Sequence, residues 1–247
     1  MTVVEVRAPA KLTLSLRVTG LRADGMHLIE AEMISLSLHD LLTIDSEAEG
    51  VQTTGRYAEG VPSDGDNLVS KALRLAGRRA LVTIDKHIPH GGGLGGGSSD
   101  AAAVLRWAGF NDIRAAAAIG ADVAFCLVGG RARVSGIGEV VEPLPHVDQA
   151  VTLIVPPLAV STPAVYRAWD AMGGATATGA NDLEPAAIRV EPALARWRDR
   201  IGNACGETPI LAGSGATWWV PGERGDALAA LHDEGAEVIA ARAVRAE

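Results

Sequence analysis

Cysteine occurs only twice in this 247-residue chain, at Cys126 and Cys205. Two thiols give no framework of paired spacings, and no Cys/His set has zinc spacing; His87 and His90 are two apart on a glycine-flanked loop without further ligands. Neither a disulfide scaffold nor a metal site is therefore expected. Blocks of basic residues are missing as well, and the formal net charge is −8. Such a balance lacks the electrostatic footprint of a nucleic-acid binder, so any anionic ligand must be met locally. No run of about 18 apolar residues occurs, and the N-terminus alternates polar and apolar residues instead of joining a basic segment to an apolar one. The expectation is a cytoplasmic protein with neither a membrane nor a nucleic-acid partner. Nothing in it demands a partner chain, so a monomer or weak homodimer is expected. Lysine is confined to positions 11, 71 and 86.

What the sequence does contain is an ordinary globular composition, 48% hydrophobic and 21% charged, enough for a core without covalent staples. The first 45 residues alternate apolar and polar with period two, around a loop at GLRADGMH, and predict strands. Asn67–Arg79 has helical spacing, and ALVTIDKHI reads as a strand leading into a glycine-rich loop. RAAAAIGADVAFCLVGG is apolar and alanine-rich, and RARVSG and EVVEPL are short strand candidates. Beyond Pro156-Pro157 the pattern becomes strand (AVTLIV), helix (TPAVYRAWDAM), loop, helix (EPALARWRDRIGN), two strands (TPILAG, ATWWVP), helix (ERGDALAALHDEG) and strand (EVIAARAV). A lobe boundary is expected near residue 150, giving units 1–150 and 151–247.

The segment Ile88–Val104, IPHGGGLGGGSSDAAAV, is the most informative stretch. Glycine permits positive φ and removes the Cβ that keeps a ligand off the backbone, so a cluster exposes consecutive N–H donors. Ser98, Ser99 and Asp100 read as N-cap residues of a helix from about Ser98 to Ala108, which sets the loop at the positive end of a helix. A phosphate suits that geometry, and a ligand-free turn is the plainer alternative. Walker A requires a lysine where Gly97 stands. Gly91-x-Gly93-x-x-Gly96 formally matches a dinucleotide fingerprint, but that fingerprint normally sits on a doubly wound parallel sheet, not after a β-meander. A glycine cradle with Ser98 or Ser99 hydroxyls near a Mg²⁺ suits phosphoryl transfer, which also needs a group for the acceptor proton and a cation for the developing charge. Lys11, in APAKLTLSL, is either at a strand end with its head in a cleft or snorkelling. Asp122, in IGADVAF, is costly to bury unpaired and otherwise reads as a helix cap.

Taken in order, PAKLTLSLRVTGLRADGMH, DNLVSKA, IPHGGGLGGGSSDAAAVL, GADVAFCL, NDLEP and LAGSGATWWV resemble the GHMP kinase superfamily, and within it the 4-diphosphocytidyl-2-C-methyl-D-erythritol kinases, nearly end to end. The glycine loop alone specifies only the superfamily; PAKLTL, ADGMH and NDLEP point to the narrower family. The resemblance implies a two-lobed α+β fold, with an N-terminal lobe like ribosomal S5 domain 2 and a ferredoxin-like C-terminal lobe. It also implies transfer of the ATP γ-phosphate to the 2-hydroxyl of the methylerythritol unit. By the same resemblance Asp122 is the base, and Lys11 pairs with it and contacts the hydroxyl; an ammonium beside a carboxylate favours the charged form of each. Pro89, His90, Gly91, Gly92, Gly93, Leu94, Gly95, Gly96, Gly97, Ser98 and Ser99 would wrap the triphosphate, with Asn67 near the adenosine. His27 would face the cytosine edge, Tyr166 would stack on the ring, and Gly213, Ser214 and Gly215, in AGSGAT, would close over the phosphates.

The chain departs from the family pattern at several points. Met26 stands where an aromatic usually precedes the histidine, so a two-sided aromatic clamp becomes a softer thioether contact. Ala124 replaces a usual proline, and the segments from Gly109 to Asp122 and from Met172 to Asn181 are short. These changes bear on acceptor identity more than on reaction type. Another small-alcohol kinase of this superfamily, or a nucleotide-binding homologue without catalysis, is the alternative.

Overall fold

The computed structural model describes residues 3–62 and 65–246. Two long strands open the chain, β1 (Val3–Leu21) and β2 (His27–Asp45), paired antiparallel from Val3↔Asp45 to Leu21↔His27. Their apolar residues are buried on both faces, with Ala8, Leu16, Leu42 and Ile44 in one cluster and Leu12 and Ile34 in another. Pairing is interrupted after Pro9, which opposes His39, and resumes at Lys11, which opposes Ser35. Bulges of this kind bend a strand and release ladder groups. Here the freed Lys11 N–H bonds Leu94 O of the glycine loop at 2.9 Å.

Four further strands complete the first sheet: β3 (Gly50–Thr54), β4 (Leu81–Asp85), β5 (Arg131–Gly136) and β6 (Val140–Leu144). The order is β3-β4-β2-β5-β6, with β1 also on β2. Helices α1 (Leu68–Leu75), α2 (Gly96–Trp107), α3 (Ile113–Ile119) and α4 (Val123–Val128) belong to this half. In α2 every residue from Ser99 to Leu105 is buried; three consecutive alanines let it approach its neighbours closely on all sides.

The second sheet holds β7 (Ala150–Val155), β8 (Ile210–Leu211), β9 (Trp218–Pro221) and β10 (Glu237–Arg242) in the order β10-β7-β9-β8. Numbered within the sheet this is 4-1-3-2, the ferredoxin-like arrangement expected. Its helices are α5 (Thr162–Ala171), α6 (Glu184–Val190), α7 (Ala193–Cys205) and α8 (Gly225–Leu228), the last running into a 3₁₀ turn at Ala229–Glu234. Buried clusters draw on both sheets: Leu12 and Ile34 pack with Leu153 and Trp219, and Leu42 belongs with Trp218. No described helix is long and apolar enough to cross a membrane.

Local expectations need three corrections. The seven-residue α6 was not anticipated, because Pro192 ends it before the expected helix from Glu191 begins, and α7 starts only at Ala193. The last helix is largely 3₁₀. Ser98, Ser99 and Asp100 do not cap α2; the cap is Gly95, left-handed at φ 70° and without a side-chain bond, and the helix begins at Gly96. A left-handed residue can turn the chain into a helix without help from a side chain, so the serines and aspartate are released for other contacts.

Candidate active site

Asn67, Lys86, Asp100 and the loop Pro89–Gly97 line a cleft of 210 Å³. Asn67 also caps α1, accepting from Val69 N at 2.8 Å. Two glycines of the loop are explained by tertiary approach. A Cβ on Gly95 would stand 2.6 Å from Lys11 Cγ, and one on Gly93 would stand 2.9 Å from Gly215 O; both residues have positive φ. The loop is therefore glycine-rich because a lysine stem presses on it from β1 and residues 212–217 press from the second sheet. Ser99 is buried, and its hydroxyl donates to Pro9 O at 2.6 Å instead of facing the cleft. Ser98 makes no side-chain hydrogen bond to the described residues, and neither serine lines the cleft.

A second cleft, of 430 Å³, adjoins the first, and Gly93 lines both. Lys11, Thr13 and Asp122 line it together with Gly213 and Ser214. Asp122 occupies the N-cap position of α4, yet its carboxylate makes no capping bond. It turns to Lys11, with Oδ2 3.2 Å from Nζ. Lys11 is 6% exposed at its side chain and Asp122 34%. The ammonium is thus desolvated, with Thr13 Oγ1 as a further partner at 3.3 Å, while the carboxylate stays open to a ligand. Neither residue snorkels or caps, as their own segments allowed; the bulge after Pro9 and the turn before α4 bring them together.

The far end of this cleft is apolar and aromatic: Met26, Ile29, Ile137, Pro163 and Tyr166 line it beside His27. His27 stacks on Tyr166 with ring centroids 4.6 Å apart and meets Trp169 edge-on at 5.7 Å. Its Nε2 lies 2.8 Å from Asp170 Oδ1, which leaves Nδ1 without a partner among the described residues. Burial pushes the Tyr166 hydroxyl up to about 12, with Asp122 adding to it, so the phenol is neutral. Met26 is 48% exposed at the cleft mouth.

Residues 212–217 reach the site because Asn181 holds them. Its buried amide donates to Leu211 O at 2.8 Å and Gly213 O at 2.6 Å, and its oxygen accepts from Leu183 N. Beside it, Asp182 accepts from Arg17 Nη1 at 2.7 Å, Val18 N at 3.0 Å and Ala177 N at 2.9 Å. Ser214, on the cleft, bonds Thr162 Oγ1 at 2.7 Å. Gly215 does not line either cleft; its carbonyl backs onto Gly93 instead. NDLEP carries no local sign of the supporting roles of Asn181 and Asp182, whose partners lie on β1 and at residues 211 and 213. The buried cluster of Asp40, Lys86 and Asp100 leaves one sign in the sequence, the scarcity of lysine.

A mixed sheet with a glycine cradle opening helix α2, closed from a ferredoxin-like second sheet, is the two-lobed architecture of a GHMP kinase. Residues 67–130 match the family model described as the GHMP kinases N terminal domain. The fold also superposes on Methanococcus jannaschii mevalonate kinase with a TM-score of 0.62, covering 99% of each chain at 12% identity. Among curated proteins, 4-diphosphocytidyl-2-C-methyl-D-erythritol kinase of Paracoccus denitrificans is 39% identical over 229 residues, 85% of this chain and 84% of its own. The enzyme of that name from Paramagnetospirillum magneticum is 36% identical over 252 residues, 88% of each chain. A crystal structure of 4-(cytidine 5'-diphospho)-2C-methyl-D-erythritol kinase matches with a TM-score of 0.79 and 32% identity, covering 98% of this chain and 100% of that one. The chain belongs to the 4-diphosphocytidyl-2-C-methyl-D-erythritol kinase family.

Proposed function

We propose that this protein transfers the γ-phosphoryl group of ATP to the 2-hydroxyl of 4-diphosphocytidyl-2-C-methyl-D-erythritol. The observation that carries this reading is the Lys11–Asp122 pair, 3.2 Å apart, in the cleft that meets the glycine loop at Gly93. The triphosphate lies along residues 89–99, with its γ end toward Gly93 and the adenosine toward Asn67. The acceptor enters the larger cleft, its hydroxyl at Asp122 and its cytosine at the His27–Tyr166 end. Asp122 accepts the hydroxyl proton as the oxygen attacks phosphorus, and the Lys11 ammonium offsets charge on the transferring group. Gly213 and Ser214 cover the phosphates from the second lobe. The lobes are proposed as 1–150 and 151–247, so each contributes one wall.

The described residues contain no group of three His, Cys, Asp or Glu side chains able to hold a metal ion. Mg²⁺ usually keeps several waters and binds largely through substrate phosphates, so this donor-poor cleft fits it as a nucleotide-borne ion. Neither loop serine lines the cleft, so the phosphates themselves would hold the ion, and its contribution would be to neutralise their charge. Lys11 and Asp122 act independently of it.

The exposed thioether of Met26 favours a second reading, another small-alcohol kinase of the same fold. A panel of alcohols in a coupled ADP-release assay separates the two. The proposal expects the diphosphocytidyl alcohol to show the highest kcat/KM. A better alcohol would move the assignment to that acceptor, and ATP binding without transfer to any alcohol would make the chain a nucleotide-binding homologue.

A further inference from the structure

Tyr166, Trp169 and Asp170 stand at i, i+3 and i+4 on α5, so their side chains share one face of the helix. That face meets His27, the first residue of β2. The imidazole stacks on Tyr166 at 4.6 Å, meets Trp169 edge-on at 5.7 Å and sets Nε2 2.8 Å from Asp170 Oδ1. Trp169 is itself held in place. Its Nε1 donates to Ala175 O at 3.2 Å, and Gly174, at φ 67°, makes room for the indole, since a Cβ there would stand 3.0 Å from Cη2. Two aromatic rings and a carboxylate thus fix the orientation of a histidine whose side chain is 13% exposed.

The same contacts fix where the ring carries its hydrogen. A carboxylate only accepts, so in the neutral imidazole the proton sits on Nε2 and Nδ1 keeps a lone pair. Nδ1 has no partner among the described residues and is not one of the buried polar atoms stranded without one, so it stays accessible on a residue that lines the larger cleft. An acceptor there calls for a donor on the ligand. Cytosine carries an exocyclic amine on its outer edge, where a keto pyrimidine such as uracil carries an oxygen. Two lone pairs set against each other lose the hydrogen bond and desolvate both acceptors. Around His27 the cleft is lined by Met26, Ile29, Ile137 and Pro163, whose side chains do not select between an amine and an oxygen. The Tyr166 hydroxyl can donate or accept, so it does not select either. Discrimination at this end therefore falls to the His27 tautomer.

We propose that Asp170, which does not itself line the cleft, is a positioning residue for base selection. By holding His27 in the Nε2–H tautomer it keeps the Nδ1 lone pair for the amino group of cytosine and sets the site against a keto oxygen at the same position. Without Asp170 the neutral ring is free to carry its proton on Nδ1, and it then meets a uracil oxygen as readily as the lone pair meets the amine. This inference rests on the placement of the acceptor's base at the His27–Tyr166 end.

The test compares kcat/KM for the cytidine-bearing acceptor and for its uridine-bearing counterpart in the whole protein, at about pH 8, above the ordinary imidazole range. The parent should prefer the cytidine compound. In Asp170→Ala that preference should fall by roughly tenfold, the value of about one hydrogen bond, through KM and not through kcat. Asp170→Glu, which can again accept from Nε2, should restore much of it. A parent without the preference, or one whose preference survives in Asp170→Ala, would overturn the inference. Should Asp170→Ala not fold, ¹⁵N spectra of the parent decide, with the His27 ring signals assigned by their loss in His27→Gln. They must show Nε2 protonated and Nδ1 bare, and a proton on Nδ1 overturns the inference as well. If His27→Gln leaves KM for the cytidine compound at the parental value, the base does not reach this end; the placement fails, and this inference with it.

Discussion

Gly95→Ala isolates the contact on which the proposed chemistry depends. The residue has φ 70°, and its new Cβ would stand 2.6 Å from Lys11 Cγ and 3.2 Å from Lys11 Cε. Holding alanine in a left-handed conformation costs about 1–2 kcal/mol. For a chain of this length that corresponds to a fall in Tm of roughly 2–8 °C. The clash adds a displacement: ordinary contact begins at 3.4 Å, so the lysine stem must retreat by nearly an ångström. Nζ, now 3.2 Å from Asp122, then loses its place, and a misplacement of about 1 Å at a reacting centre costs on the order of 10²-fold. The expected result is a modest loss of stability with a fall in kcat of about that size, measured by thermal denaturation and steady-state kinetics. Gly97→Ala is the stability control, since its Cβ meets only Leu68 Cδ1 at 3.8 Å and no positive φ is required. Parental kcat in folded Gly95→Ala would refute the reasoning.

Other substitutions test other parts of the site. Asn181→Asp turns a donor to two carbonyls into an acceptor inside a buried site; it should cost ~3 kcal/mol and raise the acceptor KM, and a variant with parental Tm would contradict this. Met26→Tyr should lower KM for the cytidine-bearing acceptor by roughly 2–10-fold at unchanged kcat, the value of a stacked aromatic pair. An unchanged KM would mean that the base does not reach that end. Stability should also depend on pH through Asp100, whose folded pKa of about 7 lies above the ordinary 3.8. The native state then holds a proton that the unfolded chain releases, so this stabilisation is fully present below about pH 3.8 and disappears as pH rises through about 7. Thermal denaturation across that window should show the parent losing more stability than Asp100→Asn, and parallel curves would count against the assignment.

Much of the fold was legible because its signals are local. Period-two alternation over residues 3–45 and the strand–helix alternation beyond Pro157 are properties of neighbouring residues, and the sheets follow them. Boundaries failed where a backbone device replaced the expected side chain, as with left-handed Gly95 doing the work assigned to Ser98–Asp100, or where a proline cut a short helix out of a longer pattern at Pro192. The site was legible only in pieces. From their own segments Lys11 and Asp122 looked as much like a snorkelling strand residue and a helix cap as like partners, and only the family resemblance joined them. Asp40 and Asp100 were invisible for the same reason. One sits in a regular alternation and the other in an apparent cap, and the ion pairs that give them meaning form only when β2, β4 and α2 pack together. The glycines, too, had two causes, and only exposure of the backbone could be read without knowing that Lys11 and Gly215 press on the loop.

The central claim is that Asp122, held beside Lys11, removes the acceptor proton next to a phosphate cradle it does not itself build. Single-turnover transfer by Asp122→Asn, measured alongside its affinity for nucleotide, tests this most directly. The expected result is a rate lower by roughly 10²–10⁴ with nucleotide affinity nearly unchanged. A variant that transfers at the parental rate, or one that loses nucleotide binding in proportion to its rate, would contradict it.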